Sequence, residues 1–154
     1  MNREELLQQP LVAVFAVARP DGGVHATPLW FWWDGQDLNM VVERDSPRHR
    51  WALGAGTAAV CIETSDPSGL AFATAEGPVT VVDPLTADMR DGLWERYAGR
   101  ERARQVVDAG GHQTKVLLQL RPQRWLESVC PTTLSVGVRC WSATARRRPR
   151  CTPH

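Results

Sequence analysis

Val24-His25-Ala26-Thr27-Pro28-Leu29-Trp30-Phe31-Trp32-Trp33 is the stretch that decides the fold. Strict alternation puts His25, Thr27, Leu29, Phe31 and Trp33 on one face and Ala26, Pro28, Trp30 and Trp32 on the other, which is the period of an extended strand rich in aromatics. Both faces carry large rings, so both are expected to be covered. Pro28 removes a ladder donor inside the run, and this predicts an edge, a bulge or an opening in the sheet. Pro20-Asp21-Gly22-Gly23 on one side and Asp34-Gly35 on the other are turn sequences. They make this strand the centre of an antiparallel meander, between an apolar run at 11–18 and an alternating one at 37–43.

Asn2 with Glu5 three residues later is a capping box, opening a short helix that ends before Pro10. Ser46-Pro47 begins a second short helix, with a capping residue followed by proline at the first helical position, ending at Gly54. Two further strands follow at 57–64 and 70–82, the second bent at Gly77-Pro78. Pro84 is expected to open the clearest helix, where Leu85, Met89, Leu93 and Tyr97 recur every four residues beside Trp94. Residues 100–107 add a further helical turn or two, and 112–120 read as the last strand. Strands joined by hairpins exclude a doubly wound nucleotide fold, so the expectation is a mainly β protein, a six-stranded antiparallel barrel split near Pro28.

At 154 residues the chain suits one domain with its own core. No apolar run approaches the roughly 20 residues that cross a bilayer, and the acidic start Met1-Asn2-Arg3-Glu4-Glu5 is unlike a signal peptide. A cytoplasmic location and no membrane partner are therefore expected. Residues 1–127 hold all 17 acidic side chains and carry a net charge of −4, against +5 for residues 128–154. The division is thus a body over 1–127 and an atypical, basic, poorly ordered tail over 128–154, where Cys130, Cys140 and Cys151 lie. The cysteines form no CxxC pair, so no metal site is expected. An acidic body also argues against a nucleic-acid groove.

Ser46-Pro47-Arg48-His49-Arg50 is the candidate site. Free amides at a helix start favour an anion, and Arg48 and Arg50 are suited to grip phosphate oxygens; the alternative is a plain helix cap with solvated arginines. Trp30, Trp32 and Trp33 are either a stacking wall for a planar ligand or core and dimer interface. There is no Ser/His/Asp arrangement, no histidine cluster and no carboxylate pair in an apolar setting, so hydrolytic chemistry has no visible actors.

The order of these motifs, continued by Ala59-Val60-Cys61-Ile62-Glu63, Ala75-Glu76-Gly77-Pro78-Val79-Thr80 and Leu120-Arg121-Pro122-Gln123-Arg124-Trp125, resembles the pyridoxamine 5′-phosphate oxidase-like split barrels over residues 6–126. The resemblance implies a homodimeric oxidoreductase that binds FMN or the 8-hydroxy-5-deazaflavin coenzyme at the subunit interface and passes a hydride to or from a small conjugated substrate. It implies a ring system against Met40, Val41 and Val42 with Thr27 and Pro28 nearby, and a phosphate held by Ser46, Arg48 and Arg50 with His49 in reach. Arg44 is a further candidate for a basic groove. Trp51 stands where many relatives carry a polar residue beside the cofactor, which favours the rival reading of a non-catalytic flavin carrier. A haem-binding barrel is the third. No residue is assigned as catalytic.

Overall fold

The computed structural model describes residues 2–66 and 69–131. Its elements in chain order are α1 (Arg3–Gln8), β1 (Val12–Ala18), β2 (Val24–Trp33), β3 (Leu38–Glu43), α2 (Pro47–Ala55), β4 (Thr57–Asp66), β5 (Gly69–Val82), α3 (Ala87–Ala98), α4 (Arg100–Asp108), β6 (Lys115–Leu120) and β7 (Arg124–Pro131). Every pairing is antiparallel. Around the barrel the strands run β4, β1, β2, β3, β6, β5, and β5 returns to pair with β4. The expected six-stranded barrel is therefore the observed one.

Alternation fills its interior. Ala13, Phe15 and Val17 from β1, Leu29 and Phe31 from β2, Leu38, Met40 and Val42 from β3, Val60 and Ile62 from β4, Ala73 and Ala75 from β5, and Val116, Leu118 and Leu120 from β6 form one buried cluster. Burying each large member stabilises the fold by about 1.5–3 kcal/mol relative to exposure. The helices close the set. Leu6 and Leu7 of α1 and Ala52 of α2 belong to the same cluster, with α1 touching β2, β4 and β5 and α2 touching β1 and β3 through β6. Both start as expected: Asn2 and Glu5 make the reciprocal capping box of α1, and Ser46 caps α2.

Five expectations need correction. α2 runs past Gly54 to Ala55 and stops at Gly56, whose φ of +69° is the left-handed turn that glycine adopts cheaply. Pro84 does not open α3; Thr86 caps it, its hydroxyl accepting from the Met89 amide, and the helix starts at Ala87. The strand at 112–120 begins only at Lys115. It is also not the last, because β7 adds a seventh strand along β5. β7 reaches Pro131, so residues 128–131, grouped with the tail by sequence, lie in the sheet. The rest of the expected tail, residues 132–154, lies outside the described residues.

β6 and β7 lie end to end against β5: β6 pairs with residues 79–82 and β7 with 69–76. The link between them crosses β5 at Gly77, where the Arg121 amide donates to the Pro78 carbonyl at 3.0 Å and the Gln123 amide to the Glu76 carbonyl at 2.9 Å. A Cβ on Gly77 would overlap the Arg121 carbonyl. Backbone has little room to yield, so Gly77→Ala should cost about 1–3 kcal/mol as an overpacked site; a two-state denaturant melt checks this, and an unchanged midpoint would refute it.

Candidate functional site

β2 divides its pairing. Residues 24–30 pair with β1, and only 31–33 pair with β3. The other edge of 24–30 therefore meets no strand, and neither does the facing edge of 41–43 in β3, whose partner on the far side is β6. Pro28 falls on this free edge, where a missing N–H breaks no ladder bond between β2 and β3. The sheet opens here into a cleft of about 480 Å³ lined by Val12, Pro28, Leu29, Trp30, Val41, Val42, Glu43, Arg48, Leu93, Trp94 and Lys115.

α3 forms one wall. Leu93 and Trp94 are buried beneath the cleft rim, at 3% and 7% exposure. What fixes the helix is polar. The chain's single tyrosine, Tyr97, places its hydroxyl 2.6 Å from the Leu11 carbonyl and 2.9 Å from that of Phe31, sharing its one proton between them, and accepts the Phe31 amide at 3.2 Å. These are peptide groups left over just before β1 begins at Val12, where β2 parts from β1 and pairs with β3 instead. Arg96 donates to the Leu7 carbonyl at 3.0 Å and also to the Gln9 carbonyl. The Tyr97 ring then stacks on Trp30 with centroids 4.8 Å apart and planes 3° from parallel. This leaves Trp30 39% exposed at the mouth of the cleft. Within one chain the expectation that both faces of β2 are covered holds only in part: on the outward face Ala26 and Pro28 are exposed, Trp30 is covered on one side by Tyr97, and Trp32 is half-buried.

The opposite end of the cleft is charged. Lys115, the chain's only lysine, ion-pairs with Glu43 across the β3–β6 ladder, and the Thr114 hydroxyl donates to the other Glu43 oxygen at 2.7 Å. The hydrogen bonds from Lys115 and Thr114, with a smaller contribution from the charge of Arg48, hold the Glu43 carboxyl below the usual carboxylate range. Glu43 is thus ionised throughout the neutral range. Arg48, in the first turn of α2, has no hydrogen-bond or ion-pair partner among the described residues.

Of the candidate residues, Pro28, Val41, Val42 and Arg48 line this cleft together. Met40 points into the barrel core, fully buried. Thr27 is half-buried on the inward-pointing side of β2. Ser46 serves as helix cap, its hydroxyl accepting the His49 amide at 3.4 Å. His49 is 8% exposed, and its Nδ1 accepts the Asp45 amide at 3.0 Å, which holds Asp45 at a φ of +61°. Arg50 and Trp51 line a different groove, with Arg19 and Pro20, where Trp51 packs 5.0 Å from His25. The paired grip of Arg48 and Arg50 on one phosphate is not what this chain presents: residues two apart on a helix face different ways. For the same reason the bulk of Trp51 does not enter the cleft. Arg44 is also committed elsewhere, donating twice to Asp83 and once to the Gln113 carbonyl. This pairing lowers the Asp83 carboxyl's pKa.

Sequence reading missed Glu43, Leu93, Trp94 and Lys115 as neighbours of Arg48. Only the β3–β6 register and the seat of α3 bring them there, although a solitary lysine in an arginine-rich chain was a visible signal.

The geometry defines a split β-barrel whose opening is lined by apolar strand edges, two tryptophans, two cations and a carboxylate. No family model and no curated protein matches the sequence, but solved structures match the fold. The chain is similar to a protein named F420 reductase at TM-score 0.65 and 21% identity, covering 82% of this chain and 97% of that one. It is similar to a Listeria innocua protein named as a pyridoxamine 5′-phosphate oxidase at TM-score 0.64 and 18% identity, over 80% and 93%. It is also similar to the Vibrio cholerae haem storage protein HutZ at TM-score 0.63 and 12% identity, over 82% and 90%. More particularly, then, the fold is that of the pyridoxamine 5′-phosphate oxidase-like split barrels. No helix among the described residues is long and apolar enough to cross a membrane.

Removing the Tyr97 hydroxyl strands part-buried peptide groups of Leu11 and Phe31 while keeping the ring. Tyr97→Phe should therefore cost about 1–3 kcal/mol in chemical denaturation; a variant as stable as the parent would show that the hydroxyl does not anchor α3.

Proposed function

We propose that this chain is an oxidoreductase that binds FMN or the 8-hydroxy-5-deazaflavin coenzyme in the split between β2 and β3. One observation carries the reading: the opening in the sheet joins an apolar floor, Pro28 and Val41 with buried Val42 behind them, to exposed Trp30 and to an arginine with no hydrogen-bond or ion-pair partner among the described residues. A flat ring system with one anionic arm has this distribution of apolar and charged surface, and the volume lies within the roughly 300–1,000 Å³ of small-molecule sites. The names of the similar structures, an F420 reductase and a pyridoxamine 5′-phosphate oxidase, support the same class.

When bound, such a cofactor supplies the hydride chemistry on a small conjugated substrate. The chain supplies the surroundings. Val41 and Pro28 offer a dry surface to the ring with Val42 buried behind them, Trp30 a stacking face held in plane by Tyr97, Leu93 and Trp94 the wall that keeps water out, and Arg48 a fork for phosphate oxygens. The haem reading is less well served, since the cleft lining includes no histidine, cysteine, methionine or tyrosine to act as an axial ligand.

A second copy of the chain completes the proposal. The outward face of β1 and β2 carries Val12, Val14, Ala16 and Ala18 opposite Trp30, Pro28, Ala26 and Val24, continued by Ala59 and Cys61 of β4. None is charged, and Val12, Val14, Val24 and Trp30 are each at least 39% exposed. An apolar strip of this extent marks an interaction surface, and because Val12, Pro28 and Trp30 also line the cleft, a partner seated there would wall the site. Val14→Arg should convert a dimer to a monomer in sedimentation; a parent protein that already sediments as a monomer contradicts the proposal.

The cofactor reading is tested by titrating FMN and riboflavin. Arg48→Ala should weaken FMN binding about 10- to 100-fold, the size of a lost charge-assisted contact, with riboflavin changed less than about threefold. Arg50→Ala should leave both within about twofold. No binding of either flavin or of the deazaflavin coenzyme would reject the reading, and equal losses in the two arginine variants would reject the site.

A further inference from the structure

We propose that Glu43 is a resident competitor for the cations of the cleft and sets the charge of the ligand the cleft accepts. The identity of the ligand rests on the flavin reading above; the charge argument rests on the cleft alone. Three ionic side chains line the same opening: Glu43 at the end of β3, Lys115 opposite it at the start of β6, and Arg48 in the first turn of α2. One carboxylate oxygen of Glu43 is paired with Lys115 and the other is held by the Thr114 hydroxyl, while Arg48 feels the same carboxylate. The net charge of the group is therefore +1, and only Arg48 is uncommitted.

This arrangement discriminates between ligands. A monoanionic arm can take Arg48 and leave the Glu43–Lys115 pair intact. A phosphate dianion meets a fixed negative charge close by and reaches Lys115 only by displacing Glu43. The carboxylate thus lowers affinity for the more highly charged arm and favours ligands whose anion is small or singly charged. A carboxylate at an anion site also has a plain structural explanation, a cross-strand ion pair that steadies β3 on β6. With side chains 49% and 24% exposed, such a pair is worth at most about 1 kcal/mol, so the fold tolerates its loss and the two explanations separate by experiment.

The test uses the full chain and Glu43→Gln, which keeps the shape and removes the charge. Competition predicts that FMN binds about three- to tenfold more tightly to the variant at low ionic strength, that riboflavin changes less than about twofold, and that the gain shrinks in about 0.5 M NaCl. Thr114→Val, which loosens the carboxylate but keeps its charge, should move FMN affinity less than about twofold. Weaker or unchanged FMN binding in Glu43→Gln, a parallel change with riboflavin, or an equal gain in Thr114→Val overturns the proposal. If the parent takes up no flavin, the flavin reading falls and the charge argument is read with 1-anilinonaphthalene-8-sulfonate against the uncharged N-phenyl-1-naphthylamine. Tighter binding of the sulfonate alone by Glu43→Gln supports competition, and tightening of neither or of both overturns it.

Discussion

The molecule depends on how β2 spends its two edges. A strand of ten residues that paired fully with both neighbours would close the barrel wall. This one pairs with β1 along its first seven residues and with β3 along its last three. Pro28 makes the change of partner inexpensive, since it has no amide proton to offer a strand on the open side. From that single departure follow the opening, the exposed Trp30 at its mouth and the free edge of β3 beyond Met40. The same departure leaves the Phe31 peptide groups for the Tyr97 hydroxyl, and so fixes where α3 sits and which of its residues wall the cleft.

Much of this was legible in the chain. Alternation in β2 and β3, the capping residues Asn2 and Ser46, and the Asp-Gly turns are local signals, and the architecture follows them. What escaped was non-local. β7 owes its strand conformation to an available edge on β5 and to the glycine that lets the link cross it, not to its own pattern. The start of α3 was misplaced because Pro84 looks like a first-turn proline, whereas the hydroxyl that caps the Met89 amide belongs to Thr86.

The site shows the same division. Pro28, Val41, Val42 and Arg48 were visible as candidates and share the cleft. Arg50 was grouped with Arg48 by adjacency in sequence, and helical geometry separates them by about 200°. Arg44 was a candidate for a basic groove, yet Asp83, 39 residues away, occupies it. Glu43 and Lys115 are 72 residues apart and meet only through strand register. A charge inventory made along the chain therefore overstates the cleft's positive field, and the three-dimensional inventory leaves one uncommitted arginine and one compensated lysine. On the proposed reading, the apolar walls and Trp30, rather than a broad basic surface, are then the main source of affinity for a ring-bearing ligand.

The central claim, that a planar ligand with an anionic arm sits in the β2–β3 split, has a direct readout in the one lysine of the chain. Reductive dimethylation with ¹³C-formaldehyde places a single side-chain reporter at Lys115, with the α-amino group as an internal control. Addition of FMN is predicted to shift the Lys115 resonance in a saturable way and to leave the α-amino resonance in place. FMN that binds with no change at Lys115, or an equal change at both amines, would contradict the account.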